Sequence, residues 1–288
     1  MIVKRSDIII RRAAQFLVTG ILAAVAFLCV FPLIYVTANT FMPASEINRY
    51  YSALGGSEGV SFHLIPDQLS MEGYLDVFFR QPEYMVKFWN SMFITVSILL
   101  GQITVSTLAG YAFAKLRFPF RDGLFFIYIV FMMLPYLVTL VPNELVIRNL
   151  GLLDTHAAII LPAIFSPFGV FIMRQVIAAI PNELLEASHL DGAGYVRTFF
   201  HIILPQSKAG IAALVVLSFI DSWNIMEQAL IFLNDAGKYP LSVFLTFVNT
   251  QKIDVLFVCS VLAIVPVMLL FFFFEEEFTA GIEYMGFQ

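Results

Sequence analysis

The 288-residue sequence is 60% hydrophobic and only 13% charged, with 31 Phe and a net charge of −5. Soluble domains average roughly 25% charged residues, so this composition excludes a water-soluble enzyme and an intrinsically disordered chain. No basic patch is present, which excludes a nucleic-acid-binding protein. Cys29 and Cys259 lie inside apolar runs, so neither a disulfide framework nor a cysteine-based metal site is available. A polytopic membrane protein remains.

Six apolar stretches are long enough to cross a membrane. A helix needs roughly 20 apolar residues to span the hydrocarbon core, and none of these stretches alternates as a barrel strand does. The first stretch follows four basic residues but is too long for the apolar region of a signal peptide, so we predict that it is an anchor. The fold class predicted is an all-α polytopic membrane protein with six transmembrane helices. The predicted spans are 13–37, 88–113, 123–147, 156–180, 209–233 and 255–274.

Basic residues predict the orientation of these spans. Ten of the 16 Lys and Arg residues fall on one side of the predicted spans and six on the other. By the positive-inside rule, the side with ten is cytoplasmic, and both termini lie there. We therefore predict a cytoplasmic N-terminus at 1–12, a transmembrane domain at 13–274 and a cytoplasmic tail at 275–288.

Two hydrophilic segments are predicted on the outer side. The longer, 41–87, contains a candidate interfacial helix at 71–79 and several glycine turns. The shorter, 234–251, joins the last two spans and contains a turn signal at Asp235. The glycines that mark the turns of the longer segment are Gly55, Gly56 and Gly59.

The cytoplasmic segment 181–208 predicts a short amphipathic helix, a turn and a second helix. Asp191 and Gly192 form the turn signal, and the glycine can adopt the positive φ that ends a helix. Leu204 and Pro205 end the second helix before the fifth span. From these residues alone, the hairpin is either a docking element for a protein outside the membrane or a simple connection between two spans.

Several short motifs occur in a distinctive order. The cytoplasmic segment carries Glu186-Ala187-Ser188, Gly192 and Ile202-Ile203-Leu204-Pro205. This spacing resembles the EAA loop of binding-protein-dependent ABC importers, with Ser188 at the usual second alanine. The chain is identified as similar to the maltose-type carbohydrate permeases within that group. Further motifs that match this family are Met133-Leu134-Pro135-Tyr136, Val141-Pro142, Gly151-Leu152-Leu153-Asp154-Thr155, Ile160-Leu161-Pro162, Arg174-Gln175 and Trp223-Asn224.

The resemblance implies a permease subunit that passes a sugar or oligosaccharide across a bacterial inner membrane by alternating access. Its implied partners are the lipid bilayer, a second homologous permease, a dimer of cytoplasmic ABC ATPases and an extracytoplasmic solute-binding protein. The sequence contains no Gly-x-x-x-x-Gly-Lys-Ser/Thr motif, so we predict no ATP site and no catalytic residue in this chain. Cofactors are therefore expected on the partners, with ATP and Mg²⁺ bound by the ATPase subunits.

The resemblance also implies which residues couple this chain to the ATPase. The EAA helix would insert into a cleft on the ATPase, where Glu186 would pair with a basic residue. Small side chains at Ala187 and Ser188 would allow the two backbones to approach closely. The predicted coupling residues are Glu186, Ala187, Ser188, Asp191, Gly192, Leu204 and Pro205. The last two would transmit movement to the fifth span.

Polar residues at membrane depth are the second set of candidates. A carboxylate near the middle of a bilayer costs at least about 2.5 kcal/mol, so such groups usually face a cavity or a partner. In a solute path, Trp223 would supply an aromatic face and Asn224 an amide, whereas in the alternative these groups serve interhelical packing. The substrate-path candidates are Asp221, Trp223, Asn224 and Glu227 in the fifth span and Tyr136 and Asn143 in the third.

Other functions remain open at this stage. A polyol, a glycerol phosphate ester or an acidic oligosaccharide is an alternative solute. An intramembrane enzyme would need a catalytic set, but Asp221 has no second Asp at membrane depth, and a passive channel would not need the EAA loop. No metal site is predicted, because the four histidines lack metal-ligand spacing. They are His63, His156, His189 and His201.

Overall fold

The computed structural model describes residues 5–51, 63–80, 83–251 and 253–286. Within these residues the regular structure is helical throughout and contains no strand, which confirms the predicted fold class. By length and composition, four helices of the described chain could cross a membrane, or six if each of two bent helix pairs counts as one span. The glycine turns predicted between 55 and 59 lie outside the described residues.

The helices fall into two compact units, the first made of 1–82 and 248–262 and the second of 83–247 and 263–288. In chain order they are α1 Arg5–Asn39, α2 Ala44–Tyr51, α3 Glu72–Leu75, α4 Glu83–Lys115, α5 Arg121–Met132, α6 Tyr136–Asn149, α7 Ala157–Ile164, α8 Pro167–Ala178, α9 Asn182–Leu190, α10 Tyr195–Thr198, α11 Leu204–Gln206, α12 Lys208–Trp223, α13 Glu227–Phe232, α14 Leu241–Gln251 and α15 Ile253–Gly286. π-helical segments follow α3 at Asp76–Arg80 and link α10 to α11 at Phe199–Ile203, and a 3₁₀ turn precedes α14 at Ala236–Lys238.

The first unit has a small aromatic core. Met42, Ile47 and Tyr51 are buried there, and Tyr35 and Phe257 pack against them. The hydroxyl of Tyr51 donates a hydrogen bond to Asn39 Oδ1 at 3.0 Å, which ties α2 to the end of α1. The apolar side chains along α1 are largely exposed, as a helix surrounded by lipid requires.

The second unit is built around α4, which packs against α7, α8 and α12. One hydrophobic cluster gathers near the start of α4, where Ile94 and Ile98 meet Ile159 and Phe232. Another gathers near its end and includes Tyr111. Since a helix rises about 1.5 Å per residue, the two clusters lie about 20 Å apart along α4.

Three of the predicted spans are not single straight helices, and one of them, 156–180, is divided into α7 and α8. In place of a span at 123–147, α5 and α6 meet at 104°. Pro135 lies at this break. Proline lacks an N–H and disfavours the helical conformation of the residue before it, so it favours a break at this position. In place of a span at 209–233, α12 ends at Trp223, and it is itself bent by 72° from the helical stretch Tyr195–Gln206.

A segment expected to be a loop and another expected to be a tail are helical in the structure, and a predicted interfacial helix is present. The outer segment 234–251 was expected to be a loop, but α14 occupies most of it. The segment expected to be a tail from residue 275 continues α15 as far as Gly286. The interfacial helix expected at 71–79 corresponds to α3 and the π-helical turn that follows it.

Candidate functional site

The hairpin formed by α9, α10 and α11 is anchored to the second unit by its inner face. Leu185 of α9 is buried, and so are Phe199 and Ile203 of the π-helical segment. These three side chains pack in one cluster with Tyr111 of α4 and Met173 of α8. Apolar burial therefore holds the hairpin against the ends of two long helices.

A lysine that the sequence analysis did not single out fastens the start of the hairpin. Lys115, the last residue of α4, donates hydrogen bonds to the carbonyl of Ile180 at 2.5 Å and to Asn182 Oδ1 at 2.9 Å. The ammonium group thus joins the end of α4 to the first residue of α9.

The turn of the hairpin has the conformation that its glycine permits. Gly192 has φ +79°, a region that side-chain-bearing residues rarely adopt. The N–H of Ala193 donates to the carbonyl of Ser188 at 2.9 Å, and a ring nitrogen of His189 bonds to the carbonyl of Ala193 at the same distance. Asp191 is exposed at the end of α9.

Ser188 does not lie where the sequence analysis expected it. Its side chain is buried, donating a hydrogen bond to the carbonyl of Leu185 at 2.8 Å and lying 2.9 Å from Thr198 Oγ1. Ser188 therefore holds α9 to α10 inside the hairpin and does not contribute to a docking face. The helical spacing places it one turn on from Leu185, on the same buried side.

The outer face of the hairpin combines a carboxylate with apolar side chains. Glu186 and Ala187 are exposed, and within the described chain no cation forms an ion pair with Glu186. Three apolar side chains of the hairpin are exposed, Leu190 at 89%, Tyr195 at 62% and Val196 at 72%. Apolar side chains that are exposed together with a charged group are typical of a protein-docking surface.

Leu204 and Pro205 lie in the short helix α11, directly before the bend. Leu204 is half-buried and packs against the inner cluster, while Pro205 is exposed. The next residue but one, Ser207, is fully buried and donates its hydroxyl to the carbonyl of Ile203 at 2.8 Å.

The substrate-path candidates of the fifth span lie at a break in the helix and not along it. Trp223 ends α12, Asn224 caps it, and Glu227 begins α13. Asp221, Asn224 and Glu227 are exposed on the single chain. The side-chain amide of Asn224 donates to the carbonyl of Ile220 at 2.8 Å.

Trp223 does not present the aromatic face that a sugar would need. It is buried between Phe88, at 5.7 Å between ring centroids, and Phe219, at 5.5 Å. Its indole N–H donates to the carbonyl of Ala263 at 3.1 Å. Trp223 therefore packs helices together, which is the alternative that the sequence left open.

A second aromatic candidate is better placed at the break. Tyr136 is exposed at the start of α6, and α6 packs against α13, which begins at Glu227. The fold thus brings together candidates predicted on two different spans. Asn143 is half-buried two turns further along α6.

Polar contacts that the sequence analysis missed fix the connection between α13 and α14. Lys238 Nζ lies 2.8 Å from both a carboxylate oxygen and the carbonyl oxygen of Asp154. The other carboxylate oxygen of Asp154 accepts the N–H groups of Asn234 and Asp235, each at 3.0 Å. The hydrogen bond from Lys238, with help from these N–H groups, lowers the pKa of Asp154 to about 2, and the same contact raises the pKa of Lys238.

The start of α4 holds the same connection from another side. Lys87 donates to the carbonyl of Ala236, and the amide of Asn90 donates to the carbonyl of Gly237 at 2.8 Å. Asp154 and its φ of +59° belong to the Gly151–Thr155 motif, which was the one available sequence signal for this contact.

A family profile and several similar proteins all relate this chain to transport permeases. The profile described as binding-protein-dependent transport system inner membrane component matches residues 102–282. The chain is 31% identical to the arabinooligosaccharides transport system permease protein AraQ of Halalkalibacterium halodurans, over 94% of this chain and 96% of that protein. It is 30% identical to the lactose transport system permease protein LacG of Rhizobium radiobacter, over 94% and 96%. It is also 30% identical to the sn-glycerol-3-phosphate transport system permease protein UgpE of Brucella abortus, over 88% and 90%.

The fold agrees with this relationship. A chain from the crystal structure of a bacterial ABC transporter involved in the import of the acidic polysaccharide alginate superposes with a TM-score of 0.79. The two chains are 23% identical, and the match covers 96% of this chain and 99% of the other. The chain therefore belongs to the family of inner membrane components of binding-protein-dependent transport systems and is a multi-pass membrane protein.

Proposed function

We propose that this chain is one permease subunit of an ATP-driven importer that passes a sugar or oligosaccharide to the cytoplasm by alternating access. An extracytoplasmic binding protein delivers the solute, a second homologous permease completes the path, and a dimer of ABC ATPases binds ATP and Mg²⁺ and supplies the energy. The observation that carries the proposal is the hairpin itself, whose inner face is packed and whose outer face carries the exposed carboxylate of Glu186.

The positive-inside rule and the contacts of Lys115 together support a cytoplasmic hairpin. Lys115 bonds the start of α9, so the end of α4 lies on the same side as the hairpin. Arg117 and Arg121 follow within six residues of Lys115 and carry the basic excess expected of a cytoplasmic loop. On the proposed topology, the connection between α13 and α14 would lie outside, where a binding protein would meet it.

The coupling mechanism follows from the geometry of the outer face. A cleft on the ATPase would desolvate Glu186, and a cation in that cleft would compensate the loss of water. Leu190, Tyr195 and Val196 would fill apolar surface around that pair. Because the inner face is locked into the second unit, movement of the cleft would carry the hairpin and the helices beneath it together.

A neutral saccharide fits the candidate path better than an anion. Among the residues proposed for the path, Asp221 and Glu227 are carboxylates and Tyr136 and Asn224 are neutral. A phosphate ester or an acidic oligosaccharide would meet like charge there, whereas hydroxyl groups can donate hydrogen bonds to carboxylates.

Charge reversal at Glu186 tests the coupling role. In the assembled transporter, Glu186→Lys is expected to abolish uptake and solute-stimulated ATP hydrolysis, because like charges would then meet in the cleft. Glu276→Lys makes the same charge change at an exposed position of α15 and is the matched control. Retention of both activities by Glu186→Lys, in a complex that assembles normally, would refute the proposal.

A further inference from the structure

Three potential metal ligands converge in the first unit, in the connection between α1 and α4. Glu46 lies in α2, and His63 and Asp67 lie in the segment that precedes α3. His63 Nε2 is 3.4 Å from Glu46 Oε1 and 3.4 Å from Asp67 Oδ1. All three ligand atoms lie within 4.8 Å of one another.

His63 Nε2 lies within ion-pair distance of both carboxylates, but neither contact is a hydrogen bond. N–H···O bonds are typically about 2.7–3.2 Å long, shorter than either distance. Within the described chain, His63 Nε2 is inaccessible to solvent and has no hydrogen-bond partner. The Glu46 side chain is only 7% exposed, and burial of a carboxylate is unfavourable unless the group is paired with a cation and hydrogen-bonded.

The two distances from His63 Nε2 agree with tetrahedral metal coordination. Zn²⁺ binds histidine nitrogen at about 2.0–2.1 Å and carboxylate oxygen at about 2.0–2.2 Å. The edge of a tetrahedron is about 1.63 times its centre-to-corner distance, so ligand atoms around zinc lie about 3.3–3.5 Å apart. Both distances from His63 Nε2 fall in this interval.

Neighbouring groups already hold the three ligands in place. The N–H group of Asp67 donates to the Glu46 carboxylate at 2.8 Å, and the N–H nitrogen of Gln68 lies 3.4 Å from it. Tyr50 donates its hydroxyl to Asp67 Oδ2 at 3.2 Å, and its ring stacks on that of His63 at 4.2 Å. Outer-shell hydrogen bonds of this kind orient metal ligands in proteins.

We propose that Glu46, His63 and Asp67 bind a divalent transition-metal ion of the Zn²⁺ class, with water or a further ligand in the fourth position. One imidazole with two carboxylates is a ligand set suited to such ions. The ion would fix α2 to the segment that follows it. The spacing of the histidines in the sequence did not indicate this site, because two of its three ligands are carboxylates. Glu46 is also 17 residues from His63 in the sequence, and only the fold brings them together.

Zinc content of the purified transporter tests the site. The assembled complex is isolated with a tag that contains no histidine, stripped with a chelator, equilibrated with zinc chloride and measured by mass spectrometry. Wild type is expected to hold one zinc ion per chain that His63→Gln and Asp67→Asn lack. Tyr50→Phe keeps every ligand but loses the bond to Asp67, and is expected to bind zinc about 10- to 100-fold more weakly.

The control is His201→Gln, which removes an exposed histidine that bonds the carbonyl of Arg197 in its own helix. Its zinc content should equal that of wild type. Cobalt provides a measurement that needs no variant, because a tetrahedral site gives Co²⁺ an intense visible absorption that added zinc abolishes. Equal zinc in wild type and in His63→Gln, or a wild type with no such cobalt spectrum, would overturn the proposal without bearing on the proposed transport function.

Discussion

The contact between Ser188 and Thr198 makes an asymmetric prediction about the hairpin. Both hydroxyl groups are buried, and they lie 2.9 Å apart. Ser188 has one hydroxyl proton, which it donates to the carbonyl of Leu185. Thr198 must therefore be the donor in the bond between the two side chains.

The two single substitutions should then differ in cost. Ser188→Ala leaves the Thr198 hydroxyl buried without its acceptor, and an unsatisfied buried group costs about 1–3 kcal/mol. Thr198→Val leaves Ser188 bonded to Leu185 and loses one neutral hydrogen bond, worth about 0.5–1.5 kcal/mol. The double variant removes both polar groups, so it should cost less than the sum of the two.

Amide hydrogen exchange across α9 and α10, measured in the assembled transporter, gives the opening free energy of the hairpin for each variant. Comparison of the four proteins yields the interaction energy of the pair. Two results would show that the reasoning is wrong. One is a Thr198→Val variant that opens more readily than Ser188→Ala, and the other is a double variant whose cost equals the sum.

Two further predictions concern the second unit. A Cβ on Gly110 would lie 2.8 Å from Met173 Cβ, so Gly110→Ala should destabilise the transporter by about 1–3 kcal/mol in thermal unfolding, while Gly123→Ala, with nothing within 4 Å, should not. The pKa of Asp154 is lowered to about 2 and that of Lys238 is raised, so both groups stay charged between pH 5 and 9. Their contact should therefore protect the amides of the connection between α13 and α14 equally across that range. The protection should persist down to about pH 4 and weaken as the pH falls towards 2. Hydrogen exchange of the loop measures this protection, and Asp154→Asn should remove it across that whole range.

Composition and length were sufficient to predict the fold class but not the course of each span. Apolar runs report where a helix can lie in lipid, and they predicted helices near 13–37 and 88–113 that the structure extends by several residues. The 104° bend at Pro135 was not predicted. Hydropathy averages over such a break, and proline alone does not specify whether a helix kinks, breaks or reverses.

Residues of the candidate site were predictable where local chemistry determines them. Gly192 adopts its positive φ because of the turn in which it lies. Whether a side chain faces inward depends on helix packing, which is why the burial of Ser188 and of Trp223 was not predicted. Asp154 and Lys238 are 84 residues apart, so no local pattern relates them.

In the proposed coupling mechanism, the packing around the bend would determine how force on the hairpin reaches the membrane domain. A backbone path through Pro205 would change direction by 72° at Ser207, so it cannot act as a straight rod. Ile203, however, is fully buried in one cluster with Leu214 of α12, and close-packed side chains transmit displacement with little compression. The hairpin and the first half of α12 should therefore move as one body. The chain next changes course at the helix break after Trp223, beside the residues proposed to meet solute.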